Sequence, residues 1–383
     1  MPDEKNPSGI FFVLNLAQRI PMKNIILFIS LIGLSFVSKA QDINAFSDAN
    51  NRLYQFVKGS FQQIYYQQTR GVYVGNKFVA YVDSKGDVYV HHNGEKTQMA
   101  QTFTEIHNTD NLLLVKTASV LRVFDQGVRH VLTANAMGFA WGDSLVVYQD
   151  AIGGYLKYYY QDQVHDVAMV VGNYPVKKHE VGANVFIYHD NAGNNQIFWR
   201  GKFYDLFSSN EQAIFRCGQD VAAFNDPQNQ TFTVFDNGYV IDAEPQKALN
   251  YSCGNNFIYY KDASEAHKVY KEEKVYELGF DLQNIIVRDS VVMFQDVGIT
   301  KIWYDEEIYQ IFSTQVKSPQ IDGGIVAYTN QWGGVSAFVR GKEVEITRAK
   351  VEDFQLAGNT IVLKLSRSAY QIWWNGKIYD FQS

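Results

Sequence analysis

Eight histidines and a recurring set of aspartates are the residues of this 383-residue chain whose types could do chemistry. Imidazoles ligate metals or move protons near neutral pH, and two carboxylates at a suitable separation are enough to hydrolyse a glycosidic bond. Neither set has the spacing of a catalytic centre. No G-x-S-x-G, H-E-x-x-H or phosphate-cradling G-x-x-x-x-G-K occurs, nor a G-x-G-x-x-G that opens a helix. Asp190-Asn191-Ala192-Gly193-Asn194-Asn195 is oxygen-rich in the way Ca²⁺ favours. It lacks the spacing and terminal Glu of an EF-hand loop and reads as a hairpin turn. The expectation is a chain with no cofactor, no metal site and no catalytic residues, leaning away from an enzyme.

The aspartates make sense only in the repeat that carries them. Its clearest mark is a tight hairpin residue at Gly59, Gly94, Gly127, Asp162, Gly201, Gly238, Glu273, Glu306, Gly341 and Gly376, spaced 33 to 39 residues apart. Three residues before each mark stands Phe56, His91, Phe124, Tyr159, Phe198, Phe235, Tyr270, Trp303, Phe338 or Trp373. Nine of the ten are aromatic in a chain that is 15% aromatic, which fixes the register. Five residues after each mark the position is apolar, from Ile64 and Met99 to Ile346 and Phe381. Upstream, a strand ends at Asp48, Asp83, Asp150, Asp190, Asp226, Asp262 or Asp296, replaced by Thr117, Asn330 and Ser366 in the other copies. An aspartate there caps its own turn by accepting backbone amides, so its recurrence points to structure rather than catalysis.

Each copy reads as strand, Asp turn, strand, two-residue hairpin, strand, and a short connection to a further strand. Asn93-Gly94, Asn237-Gly238 and Asn375-Gly376 are the pairs that type I′ hairpins select. Four six-residue strands fill 35 positions, leaving no room for a helix. The fold class is therefore all-β: about ten four-stranded antiparallel meanders that protect their edges by closing radially into a β-propeller. One large ring, two five-bladed rings and an open stack all satisfy the pattern. The first copy begins at Asp42 with its second strand, so one innermost strand is missing. The pattern x-V-A-Y-x-D followed by V-Y-x-x-G-K-x-Y-x-L resembles TolB-type and WD-like propeller repeats across residues 42–381. It has neither the Ser-Pro-Asp-Gly turn of the former nor the Trp-Asp ending of the latter, so the resemblance implies a fold alone.

The repeat frame also explains the histidines. His91 occupies the aromatic position, and His130 and His165 fall where Tyr204, Tyr276, Tyr309 and Tyr379 stand in other copies. His189 precedes a turn aspartate, and His107, His179 and His267 have no partner pattern. Cys217 and Cys253 each precede a glycine at the same point of adjacent copies. A disulfide between them is available in an oxidising compartment, and two buried small residues are the alternative. Trp332, Trp374 and Tyr160 offer flat faces to sugars or, equally, packing against the next copy. The longest connection runs from Val170 to Gly182, and Tyr174, Lys177, Lys178 and His179 on it form the predicted contact loop.

Met22-Lys23, the apolar run Ile25 to Val37 and the small residues Ser38 and Ala40 form a cleavable export signal. The domain plan is an upstream leader or misassigned start at 1–21, a signal peptide at 22–40 and the propeller at 41–383. The apolar run is too short to span a bilayer, so no membrane-spanning segment is expected after cleavage. Gln41 after a small residue resembles signal peptides common in Bacteroidetes, with no cysteine for lipidation. The net charge is −6, and −8 without residues 1–40, with 30 basic and 38 acidic residues left. An acidic chain without basic clusters excludes nucleic acid. The expected function is a non-catalytic binding or scaffolding module of the bacterial cell envelope, located in the periplasm or elsewhere in the envelope, whose partner is an envelope protein or glycan. The alternative is a polysaccharide-active enzyme with acidic residues at the channel mouth.

Overall fold

All ten hairpin marks adopt left-handed backbone, with φ from +62° to +94°, and the residue before each has φ from +47° to +50°. Positive φ at both central residues defines the type I′ turn, whose twist matches that of the strands it joins. Seven glycines take this conformation freely. Asp162, Glu273 and Glu306 adopt it against their side-chain preference, because the paired strands on either side dictate it.

The computed structural model describes residues 42–382 except 171, 191, 210, 212 and 312–315. The segments read as leader and signal peptide, Gln41, and Asn191 of the Asp190 turn lie outside the described residues. The strands form ten antiparallel sheets, here called blades 1 to 10 in chain order. Blade 2 is representative, running Gly71–Val74, Phe78–Val82, Val88–His92 and Glu95–Ala100 from innermost to outermost strand. Among the described residues, blade 1 comprises Ile43–Ser47, Leu53–Val57 and Ser60–Tyr65. Blade 5 also has three: Val185–His189, Asn194–Trp199 and Lys202–Ser208.

The residue three before each mark is buried in all ten blades. It packs between sheets rather than within one: Phe198 joins Leu156, Tyr158 and Phe186 across blades 4 and 5, and Trp373 joins Ile325, Ala337 and Phe354 across blades 9 and 10. Each such ring contributes about 2–3 kcal/mol of hydrophobic burial. The turn aspartates cap as read. Asp48, Asp83, Asp150, Asp190, Asp226 and Asp262 each accept the amide two residues on, at 2.7–3.0 Å, and Asn330 does so at 3.1 Å. Asp296 differs, because Val297 and Gly298 close a two-residue hairpin there and its carboxylate pairs with Lys301 at 2.7 Å.

Blade 10 closes directly on blade 1. Phe46 and Phe56 share a cluster with Val362, Tyr370 and Ile372. Asn44 Nδ2 donates to Thr360 Oγ1 at 3.1 Å, Tyr370 Oη to the Ser47 carbonyl at 2.8 Å, and Trp374 Nε1 to Asp42 Oδ1 at 2.9 Å. Blade 5 meanwhile continues into blade 6, where Trp199 Nε1 donates to Asp220 at 2.8 Å. These contacts decide among the arrangements left open by the repeat: one ring of ten blades, closed without sharing a strand.

Candidate functional site

The turns joining innermost to second strands line one mouth of the channel, beside the hairpins. They are laced blade to blade: Ser144 N donates to Ala183 O at 3.1 Å, Ala183 N to Gly218 O at 3.0 Å, Gln219 N to Asn255 O at 2.6 Å and Asn255 N to Asp289 O at 2.6 Å. Such close approach needs glycine. A Cβ on Gly142 would stand 1.6 Å from Gly182 O, one on Gly182 1.8 Å from Gly218 O, and one on Gly218 2.1 Å from Gly254 O. No methyl group fits there.

Besides Asp220 of blade 6, whose carboxylate accepts Asn184 Nδ2 and Trp199 Nε1, these turns carry four carboxylates that act on one another: Asp110 in blade 3, Asp143 in blade 4, Asp289 in blade 8 and Asp322 in blade 9. Asp110 opens to solvent, yet the surrounding turns cost its carboxylate hydration, and the charges of Asp322, Asp143 and Asp289 repel it, so its pKa is pushed up to about 7. Lost hydration and the Asp322 charge likewise push Asp289 up to about 6. Burial raises Asp322. Arg288 opposes all three shifts. Carboxylates from blades 3 and 4 thus feel those from blades 8 and 9 across the ring.

Three of the four already have work. Asp143 accepts the Asn111 backbone amide at 2.9 Å and its side-chain amide at 2.5 Å. Asp322 accepts Gly358 N at 2.8 Å, and Asp289 accepts a backbone bond from Gly323. The Asp110 carboxylate accepts none from any described residue. It borders a groove of about 450 Å³, lined also by Lys77, His92, Gln126, Asp143 and Tyr160. One free carboxylate among amides, a lysine and a ring can hold a polar ligand. A pair of free carboxylates, as glycoside hydrolysis requires, is not assembled among the described residues.

Residues 172–184, which include the predicted contact loop, cover the inner edge of blade 5, with Val181 bridged to Phe186 and a short 3₁₀ turn at Lys178–Glu180. Tyr174 is 9% exposed and belongs to the core between blades 4 and 5. Its hydroxyl lies 3.3 Å from His189 Nδ1, and its amide donates to Gln149 Oε1 at 2.8 Å. Lys177 pairs at 3.0 Å with Glu180, which is only 3% exposed and whose pKa burial raises. The Lys178 ammonium sits 4.1 Å over the Trp141 ring. His179 remains exposed, with its pKa lowered chiefly by lost hydration.

Cys217 and Cys253 are free thiols on the innermost strands of blades 6 and 7. They are not bridged, because each Sγ points at a backbone carbonyl of the preceding blade: Cys217 at Glu180 O, 3.3 Å, and Cys253 at Arg216 O, 3.2 Å. Burial pushes both thiols up and keeps them protonated. The histidines at repeat positions pack as rings: His130 lies 5.4 Å from Tyr159, and His165 stacks on Tyr158 at 4.9 Å. Among the described residues no group of three or more His, Cys, Asp or Glu could hold a metal. Trp374 and Tyr160 pack into seams between blades, whereas Trp332 is half exposed beneath the Arg348 guanidinium at 4.9 Å.

Ten sheets in one closed ring define a ten-bladed propeller. The chain belongs to the 10-bladed β-propeller domain family, which it matches over residues 37–379. No curated protein matches it significantly. Among solved structures it is similar to the computationally designed Ika8 protein, with 12% identity, 79% of this chain and 95% of that chain covered, and a TM-score of 0.32. It is also similar to PorZ of Porphyromonas gingivalis, described as a surface component of the type-IX secretion system: 10% identity, 87% of this chain, 57% of that chain, TM-score 0.24. A third is the CRINKLY WD40 ectodomain of the Arabidopsis thaliana receptor kinase ACR4: 12% identity, 63% of this chain, 96% of that chain, TM-score 0.30. None aligns closely enough to bear on function. Among the described residues no helix is long and apolar enough to cross a membrane.

Proposed function

We propose that the chain is a non-catalytic binding module of the bacterial cell envelope, exported by cleavage of a signal peptide after Ala40 and holding an envelope protein or glycan at the turn-lined channel mouth. The observation that carries this reading is the distribution of the mouth carboxylates. Three are spent on lacing neighbouring turns, and Asp110 alone faces the groove unbonded by any described residue. A rigid ring with one polar groove supports recognition better than turnover.

The test is cross-linking in the native envelope, then affinity isolation of the tagged protein and mass spectrometry, with Asp110→Ala and Gln126→Ala alongside. A stoichiometric partner or glycan lost in the mouth variants supports the reading, and capture unaffected by them refutes it. The polysaccharide-active alternative draws on one observation: carboxyls at about 7 and about 6 lie in the range of a general acid. Hydrolysis of an envelope polysaccharide that disappears in Asp110→Asn would favour it instead.

A further inference from the structure

Blade 2 departs from the repeat at a matched pair. The buried residue three before each hairpin mark lies directly opposite the residue two after it, on the outermost strand. In blades 4 to 8 the pairs are Tyr159 with Val164, Phe198 with Phe203, Phe235 with Val240, Tyr270 with Val275, and Trp303 with Ile308. Blades 3 and 9 also carry a charged outer residue, Arg129 opposite Phe124 and Glu343 opposite Phe338, but in blade 2 both members change together, to His91 and Lys96. A repeat that abandons its packing rule on both strands at one place is where a local function is worth seeking.

The Lys96 ammonium lies 3.8 Å from the Tyr89 ring centre and 5.5 Å from those of Tyr65 and Tyr81. Tyr65 ends the outermost strand of blade 1, while Tyr81 and Tyr89 come from the second and third strands of blade 2. The three rings form one wall, with Tyr65 and Tyr81 centred 4.8 Å apart and Tyr81 and Tyr89 5.6 Å apart. No carboxylate among the described residues pairs with Lys96, so ring faces are what hold its charge. Tyr81 is fully buried, and its hydroxyl finds no hydrogen-bond partner among the described residues. His91 Nδ1 in the same blade is buried without such a partner as well, and two orphans in one blade need a reason. The Lys96 side chain itself is exposed on the rim and can return to water without uncovering core.

We propose that Tyr65, Tyr81 and Tyr89 form a recognition cage for a methylated ammonium group, with Lys96 as the resident cation that yields to it. Rings convergent on one cation bind through their negative faces, and quaternary ammonium is the cation such cages take best. A primary ammonium is strongly hydrated and gives up more water on entering. Asp83 and Asp87 lie close enough to act on the Tyr89 hydroxyl, adding a field that favours a cation. Lys96 holds the cage by its tether, which acts as a local concentration.

Tetramethylammonium chloride titrated into the whole protein, against sodium chloride at equal ionic strength and read by tyrosine ring NMR shifts, tests this. Lys96→Ala removes the tethered competitor and is expected to bind roughly tenfold more tightly than the native chain. Adding Tyr89→Ala to that variant is expected to abolish binding, and ammonium chloride should bind more weakly than its methylated form. Equal affinity in the native chain and Lys96→Ala, or binding that survives Tyr89→Ala, overturns the proposal. Should Lys96→Ala not fold, Lys96→Ser serves in its place, and circular dichroism verifies each variant.

Discussion

Among the described residues, blades 1 and 5 each form three strands rather than four, and the inner edge of each is covered by different material. In blade 5 the chain itself covers the edge, with Gly182 N bonded to Val185 O at 2.8 Å and Tyr174 sunk into the core. In blade 1 side chains answer the open edge. Asn44 Oδ1 accepts the Ala45 amide at 2.8 Å, and Tyr370 of blade 10 donates to the Ser47 carbonyl at 2.8 Å. Unpaired backbone groups in a buried sheet must find partners. Where the ring has chain to spare it uses backbone, and where it closes on itself it uses polar side chains. Blade 5 should therefore be sensitive to added bulk, and blade 1 to lost hydrogen bonds.

The sharpest break of that contrast is Gly182→Ala, because a Cβ 1.8 Å from Gly218 O forces two backbones apart. We expect about 3 kcal/mol of destabilisation in urea unfolding, and a fully stable variant would mean the seam is looser than described. Next comes Asn44→Ala in blade 1. Asn44 is 0% exposed, and its loss strands the Ala45 amide and removes the bonds it donates to the Thr360 hydroxyl and carbonyl, for about 2 kcal/mol. Amide hydrogen exchange should quicken in blades 1 and 10 and stay unchanged in blades 5 and 6.

Tyr174→Phe keeps the ring that packs in blade 5 but deletes the hydroxyl that accepts the His189 amide at 3.2 Å. A loss of about 1 kcal/mol is expected, well below that at Gly182, and a larger loss would place the importance of this loop in polar contacts after all. Smallest is Asp110→Asn at the mouth. A carboxyl whose folded pKa is raised to about 7 binds its proton more tightly folded than unfolded, so stability falls as pH rises from about 4 to about 7. The amide escapes this loss. Since Asp110 is exposed, solvent screening limits its gain to about 1 kcal/mol or less at pH 8, vanishing near pH 4. Thermal melts at the two pH values would show it.

Much of the ring was legible because its hairpins impose a rare conformation ten times over. Asn237-Gly238 declares a type I′ turn by residue type, whereas Glu272-Glu273 adopts the same φ signs and is found only through the period. The aromatic rule held even at His91, which is buried as an aromatic would be. The burial of Tyr174 was not legible, because length and position suggested an exposed connection, and no local pattern reports that blade 5 forms three strands among the described residues. The mouth went unseen for a related reason. The Asp322 charge acts on Asp110 only because the whole ring curves round, which no 35-residue window contains. The glycine seam did leave a trace, in Gly142, Gly182, Gly218 and Gly254, three or four residues before Leu145, Val185, Val221 and Ile258 that begin the following strands. That trace was overshadowed by the cysteines that precede two of them.

The closing seam has a kinetic meaning. Bonds between consecutive blades connect residues such as Asn108 and Val74, 34 apart, whereas Asn44 with Gln355 and Trp374 with Asp42 lie 311 and 332 apart. Bringing distant ends together costs loop entropy before any contact rewards it, and topology of this kind slows the last step of folding. Nine seams can zip from neighbour to neighbour while the tenth waits for the full circle. The ring is expected to open first where it closed last, so pulse-labelled amides at Ala45 and Ser47 should gain protection after those at Val147 and Ile187.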